Sequence, residues 1–158
     1  MPEPIMKKKK VVLAFSGGLD TSYCAIYLAK ERNMEVLAAA VNTGGFDPGE
    51  QMEIEGRATE LGVQHFEMLD VAEDFYNKAV RFLIYGNILK NNTYPLSVSA
   101  ERVFQAVAIA EYAKKIGADY IAHGSTGAGN DQVRFDYVFH VMCPEIEVLT
   151  PIRTQKLS

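Results

Sequence analysis

Residues 11–22 read Val-Val-Leu-Ala-Phe-Ser-Gly-Gly-Leu-Asp-Thr-Ser, and this stretch decides the fold. Val11–Phe15 is an unbroken β-branched and apolar run, the pattern of a strand covered on both faces. The run stops at Ser16-Gly17-Gly18-Leu19-Asp20 and gives way to Thr21–Arg32, nearly all apolar from Tyr23 to Ala29, which reads as a helix. A covered strand that turns through glycines straight into a helix opens a βαβ unit, and βαβ units build parallel sheets.

The pattern repeats outward. Glu35–Val41 is a second covered strand, Gly49–Leu61 a more polar helix stopped by Gly62, and Gln64–Leu69 a third strand. Asp70 is suited to cap a helix running to about Leu89. Ser99 is suited to cap another, with Glu101 in the first turn, where the macrodipole favours an acid. That helix carries Val103, Ala106, Val107, Ala110 and Ala113 at the spacing of a buried stripe and closes at Gly117. Tyr120–Ala122 and Glu147–Leu149 are the fourth and fifth strands. The expected fold is α/β, a doubly wound, mostly parallel five-stranded sheet with helices on both faces. Ligands of such sheets bind beyond the carboxyl ends of the strands, here after Phe15, Val41 and Ala122.

Composition narrows the class. The chain has 158 residues, 48% apolar and 23% charged, the balance of one ordinary globular domain. A net charge of −4 weighs against a nucleic-acid binder, and no apolar run approaches the roughly 20 residues of a membrane helix. Two cysteines and three scattered histidines make no disulfide framework and no zinc cluster. Lys7–Lys10 before Val11–Phe15 imitates a signal peptide, but the apolar segment ends after five residues. A cytoplasmic, reduced protein is expected, with residues 1–9 a flexible lead and Lys7–Lys10 solvated. Cys24 belongs to the core, and His123 reads as a satisfied structural histidine. Tyr76, Phe82 and Tyr85 read as packing or partner surface.

The loop Ser16–Ser22 is built for phosphate. Gly17 and Gly18 let the backbone approach a ligand, the following helix contributes unpaired N–H groups, and Ser16, Thr21 and Ser22 add hydroxyls. It is not a Walker A loop, because no lysine lies inside it. Asp20 stands there instead, an anion beside a polyanion. A cation resolves that repulsion, so Mg²⁺ is expected between Asp20 and the phosphates. The stretch resembles the SGGxDS signature of the PP-loop ATP pyrophosphatase superfamily, whose members cleave ATP between the α and β phosphates. That resemblance implies that the loop holds the pyrophosphate part.

After the fourth strand comes His123-Gly-Ser-Thr-Gly-Ala-Gly-Asn-Asp-Gln-Val-Arg-Phe-Asp136. Its glycines do not form GxGxxG, so a dinucleotide fingerprint is excluded. Thr126, Asn130 and Asp131 offer donors and acceptors for a zwitterion, and Arg134 is a fork for a carboxylate. This run resembles the GSTGxGNDQVRF motif of the argininosuccinate synthase family. Val11–Ser22 and Val41–Gly45 (VNTGG) agree with the same family, in the same order, and the likeness runs from about residue 10 to the end of the chain.

The resemblance implies an ATP-dependent condensation of citrulline with aspartate to argininosuccinate, AMP and pyrophosphate, through citrullyl-AMP, within arginine biosynthesis. It implies ATP contacts at Ala14, Phe15, Ser16, Gly17, Gly18, Leu19, Asp20, Thr21, Ser22, Val41 and Gly124. It implies aspartate contacts at Thr126, Asn130 and Asp131, and citrulline contacts at Tyr94, Ser99, Asn130 and Arg134. Asp20, through Mg²⁺, and Asp131, orienting the aspartate amine, are the expected catalytic residues. The family's longer members imply that residues 10–158 form a nucleotide-binding domain truncated before a second synthetase domain, with Ser158 a helix N-cap. The same length difference implies a chain that binds ATP but makes little product, and a homotetramer for the full-length protein. Three positions depart from the pattern. Ala128 stands where lysine is usual, Ser97-Val98 replaces Gly-Thr, and Asp136 replaces a glutamate. Other PP-loop adenylating enzymes and a non-catalytic nucleotide-binding module are the alternatives.

Overall fold

The computed structural model describes residues 8–157. Residues 1–7 of the expected 1–9 lead and the expected cap at Ser158 lie outside them. Strand β1 (Lys10–Ala14) is the centre of a five-stranded sheet, with β2 (Glu35–Asn42) and β3 (His65–Asp70) on one side. Strands β6 (Tyr120–His123) and β7 (Glu147–Leu149) lie on the other. All four pairings are parallel. Sheet order reverses at β1, which pairs with β2 on one edge and β6 on the other. The crevice beyond the carboxyl ends of β1 and β6 is therefore the switch point where such sheets take ligands.

Alternation along the strands divides the core. Val11, Leu13 and Phe15 of β1, with Val36, Ala38 and Ala40 of β2, face α1 (Leu19–Ile26), α2 (Pro48–Glu60) and α7 (Pro151–Thr154). Val12, Ala39, Val41 and Ile121 face α5 (Ser97–Ile116) and α6 (Asp131–Met142). This period of two, with helices on either side, is the doubly wound arrangement expected from the sequence. The beginning of the sheet is anchored at Lys9 and Lys10. Asp119 accepts from the Lys9 ammonium and the Lys10 amide, both at 2.9 Å, so Lys9 is not a free-standing part of a lead.

Local chemistry explains where boundaries differ from expectation. Helix α2 starts at Pro48 because Asp47 and Glu50 form a capping box: Asp47 accepts from the Glu50 amide and Glu50 from the Asp47 amide. Asp70 accepts from the Ala72 amide at 3.0 Å and opens α3 (Ala72–Phe75). The helical path continues through a π-helical stretch (Tyr76–Val80) into α4 (Arg81–Tyr85). It ends at Gly86 rather than near Leu89, because Leu89–Lys90 (β4) pairs with Tyr94–Pro95 (β5) in a small hairpin. Ser99 is not the cap of α5. That helix begins at Ser97, with Leu96 as its N-cap, and Glu101 lies beyond its first turn. Its buried stripe is Ala106, Ile109, Ala110 and Ala113, whereas Val103 is exposed. Gly117 closes the helix at φ +64°, a left-handed conformation that favours glycine.

The largest departure is α6. The sequence reading carried the glycine loop through to Asp136, but the chain becomes helical at Asp131. Val138 and Phe139 bury one face of this helix against the sheet and α5.

Candidate functional site

A cleft of about 350 Å³ opens at the switch point between the β1 and β6 loops. Its floor is Ala14, Phe15 and Ala39 at the strand ends. Val41, Phe46 and Ile109 form an apolar wall, and Arg102, Gln105 and Asp131 a polar one. Ser16, Gly18, Leu19, Asp20 and Thr21 line it from one side, and His123, Gly124 and Ser125 from the other.

The first loop is held in shape from within. The Ser16 amide donates to Thr21 Oγ1 at 3.4 Å, Thr21 Oγ1 donates to the Gly18 carbonyl at 3.2 Å, and the Gly18 amide donates to Ser16 Oγ at 3.4 Å. Gly17 takes φ +73°, and its carbonyl accepts from Arg57 Nη1 at 2.8 Å, which ties the turn to α2. No side chain caps α1, so its first N–H groups are open to a ligand at the cleft. Asp20 is exposed at this helix start and makes no hydrogen bond or ion pair among the described residues.

The two loops meet at Gly124. A β-carbon there would stand 3.2 Å from Asp20 Cβ and 3.3 Å from the Asp20 backbone carbon. Next to it, His123 is fully buried. Its Nδ1 accepts from the Ser125 amide at 3.3 Å, so the ring proton sits on Nε2 and is donated to Asp136 Oδ1 at 2.9 Å. Burial lowers the His123 pKa despite the bond and charge of Asp136, which act to raise it; Arg153 adds to the lowering. Burial alone would raise the pKa of Asp136, but bonds from Arg153 and His123 outweigh it and hold the carboxyl low. Arg153 Nη1 reaches Asp136 Oδ2 at 2.8 Å.

A second network crosses the polar wall. Asp131 is held by Arg134 at 3.0 Å and by Arg102 at 3.4 Å. Arg134 Nη2 donates to Ser99 Oγ at 3.0 Å. Arg102 Nη1 donates to Gln105 Oε1 at 2.8 Å, and Glu101, next to Gln105, accepts from Thr43 Oγ1 at 2.7 Å. The loop after β2 is thereby joined to the starts of α5 and α6.

Of the residues singled out from the sequence, Ala14, Phe15, Ser16, Gly18, Leu19, Asp20, Thr21, Val41, Gly124 and Asp131 line this cleft. Gly17 lies buried behind the loop, and Ser22 donates its amide to the Gly18 carbonyl inside α1. Ser99 and Arg134 reach the site through Asp131. Thr126 turns to its own loop, accepting from the Ala128 amide at 3.4 Å. Asn130 is an exposed N-cap of α6, and Tyr94 stands on the hairpin; neither lines the cleft. Arg102 and Gln105 were missed. Arg102 follows Ser99 by three positions, the helical spacing that puts both on one face, and that spacing was the available signal. Phe46 and Ser125 carried no such signal.

Neither cysteine is reactive. Both are buried, and burial pushes the Cys24 thiol up to about 11 and also raises Cys143. Among the described residues no group of three or more histidine, cysteine, aspartate or glutamate side chains could hold a metal ion. Asp20, an unengaged carboxylate at the cleft lip, fits a divalent ion that arrives with a phosphate ligand. No helix among the described residues is long and apolar enough to cross a membrane.

Known proteins agree with this architecture. Residues 10–158 match a family model described as the arginosuccinate synthase N-terminal HUP domain. Argininosuccinate synthase of Dictyoglomus thermophilum is 38% identical over 154 residues, covering 97% of this chain and 38% of the relative. Argininosuccinate synthase of Synechocystis sp. is 42% identical over 153 residues, covering 96% and 38%. The chain thus spans 38% of the length of these relatives. A crystal structure described as a predicted subunit of tRNA methyltransferase from Methanocaldococcus jannaschii superposes with a TM-score of 0.63 at 18% identity, covering 92% of this chain and 69% of that one. That likeness is one of fold.

Proposed function

The chain belongs to the argininosuccinate synthase family, and on that premise we propose that its cleft binds MgATP for the condensation of citrulline with aspartate. The products are argininosuccinate, AMP and pyrophosphate, and the intermediate is citrullyl-AMP. The observation that carries this reading is the meeting of the Ser16–Thr21 turn and Gly124 around one cleft at the switch point of the sheet.

In the proposed arrangement the adenine lies against Val41, Phe46 and Ile109. The β and γ phosphates rest on the turn amides, the open start of α1, and the hydroxyls of Ser16 and Thr21. Asp20 is the residue that would hold Mg²⁺ through the phosphates, where the ion would supply charge stabilisation for the leaving pyrophosphate. The ureido oxygen of citrulline is a neutral nucleophile, so attack at the α-phosphorus asks for alignment and charge stabilisation, not a strong base. In the second half, the aspartate amine attacks the activated ureido carbon and AMP leaves. Asp131, fixed between Arg134 and Arg102, is the acceptor that orients this amine. Thr126 and Asn130, which lie outside the lining of the nucleotide cleft, would complete the aspartate site, and Ser99 and Arg134, with Asn130 and Tyr94, all outside that lining, would contribute to the citrulline site. The setting is cytoplasmic, with neither nucleic acid nor membrane as partner. Two buried, high-pKa thiols disfavour a cysteine-based PP-loop chemistry such as thiolation.

The test is calorimetric titration of the chain with ATP in Mg²⁺, then with citrulline and aspartate, alongside a pyrophosphate-release assay. One-to-one ATP binding supports the reading. A chain that ignores ATP overturns it. An Asp131→Asn variant whose second half-reaction is unchanged would remove Asp131 from the mechanism.

A further inference from the structure

The segment Gly124–Asn130 has no regular structure and contains three glycines, and residues 127–130 are exposed. Ordering such a backbone carries an entropic cost, so its shape depends on the ties that hold it. Two ties exist. At the start, the Ser125 amide donates to His123 Nδ1. At the far end, Gln132 Nε2 donates to the Gly127 carbonyl at 2.6 Å and more weakly to that of Gly129 at 3.4 Å. Both ties converge on one ion pair. His123 Nε2–H rests on Asp136 Oδ1, Asp136 Oδ2 takes Arg153 Nη1, and the same Nη1 donates to Gln132 Oε1 at 2.8 Å. Arg153 is itself set by Thr150, which accepts from its Nε at 3.3 Å.

We infer that the Asp136–Arg153 pair is a clamp that fixes both ends of the Gly124–Asn130 loop, making His123, Asp136, Arg153 and Gln132 positioning residues for the nucleotide cleft. The inference rests on the reading of that cleft as an ATP site. Its logic is geometric. The carboxylate gives one oxygen to each side, so one group sets the histidine tautomer and the direction of Arg153 together. A neutral amide at position 136 has one acceptor oxygen, and its NH₂ group would face either a histidine N–H or a guanidinium. It can serve one tie and must break the other. A glutamate keeps both acceptors.

The experiment compares the unaltered chain with Asp136→Asn, Asp136→Glu and Gln132→Ala. It follows amide hydrogen exchange across residues 124–130, the His123 ¹⁵N shifts, and calorimetric MgATP affinity at a temperature where each variant is folded. The unaltered chain should show the Nε2–H tautomer. Asp136→Asn should speed loop exchange at least tenfold with the β1 and β6 amides unchanged, and weaken MgATP at least tenfold. Asp136→Glu should stay within threefold on both. Gln132→Ala, which spares the Asp136–Arg153 pair, should loosen residues 127–129 alone and weaken ATP several-fold. If Asp136→Asn does not fold, Gln132→Ala and the tautomer decide. The proposal is overturned by an Nδ1–H tautomer, by unchanged loop exchange, or by a loosened loop with unchanged ATP affinity. If the unaltered chain binds no MgATP, the ATP reading fails, while exchange and tautomer still decide the clamp.

Discussion

Gly124 rests against the backbone of Asp20, close enough that a β-carbon would sit 3.3 Å from the Asp20 carbonyl carbon and 3.2 Å from its Cβ. Residues 104 positions apart, one following β6 and the other in the first turn of α1, are thereby packed together at the cleft. The neighbouring atoms belong to the first turn of α1 and have little room to yield. Gly124→Ala should therefore push the two loops apart, with a loss of about 1–3 kcal/mol of stability and at least a tenfold weaker MgATP affinity. Urea denaturation and calorimetry measure the two effects separately.

Asp20 permits a test in which the sign of the effect reverses. Its carboxylate repels a phosphate chain that carries no metal and attracts one that does. Asp20→Asn should weaken ATP binding in the presence of Mg²⁺ and strengthen it in excess EDTA. Titrations under both conditions check this, and a variant that weakens binding equally in both would place Asp20 away from the metal.

The turn also depends on a support outside the cleft. Arg57 donates to the Gly17 carbonyl, a bond from a charged donor worth about 1.5–3 kcal/mol. Arg57→Met keeps the aliphatic stem against the turn and deletes that bond. The expected outcome is a several-fold loss of MgATP affinity with a fall of no more than about 3 kcal/mol in urea-unfolding stability.

The buried His123 makes stability depend on pH. Its folded pKa lies below the ordinary value of 6.5, so the unfolded chain binds the extra proton first. The stability it contributes is complete above pH 6.5 and is lost as pH falls from there through the folded value. Asp136, held below 3.8, contributes stability that persists above that value and is lost in stronger acid. The groups facing His123 are Asp136 and Arg153. Urea midpoints between pH 8 and 5 should decline below 6.5, and His123→Gln, which can still donate to Asp136, should flatten that decline.

How much of this was legible beforehand follows from where the information lies. Val11–Phe15 and Glu35–Val41 announce themselves because strands covered on both faces must be apolar throughout, and the Ser16–Ser22 turn because its chemistry is contiguous. Helix α6 did not. Its first turn, Asp131-Gln132-Val133-Arg134, has three polar residues and an exposed valine, and only Val138 and Phe139 of the helix are buried. Arg102 was hidden for another reason. Its spacing from Ser99 places it on the same face of α5, but its position beside Asp131 is created by the packing of α5 against α6, which is a long-range relation. The two roles of Asp136 were equally out of reach, since His123 and Arg153 come to it from a strand end and from α7.

Titration of the ¹⁵N-labelled chain with MgATP, followed by amide shifts, tests the central claim most directly. The account predicts saturable one-to-one binding, with the largest shifts at Gly17, Gly18, Leu19, Asp20 and Gly124, and with pyrophosphate alone moving the first four. Shifts that cluster on the Leu89–Pro95 hairpin, or a loop that stays silent at millimolar nucleotide, would contradict it.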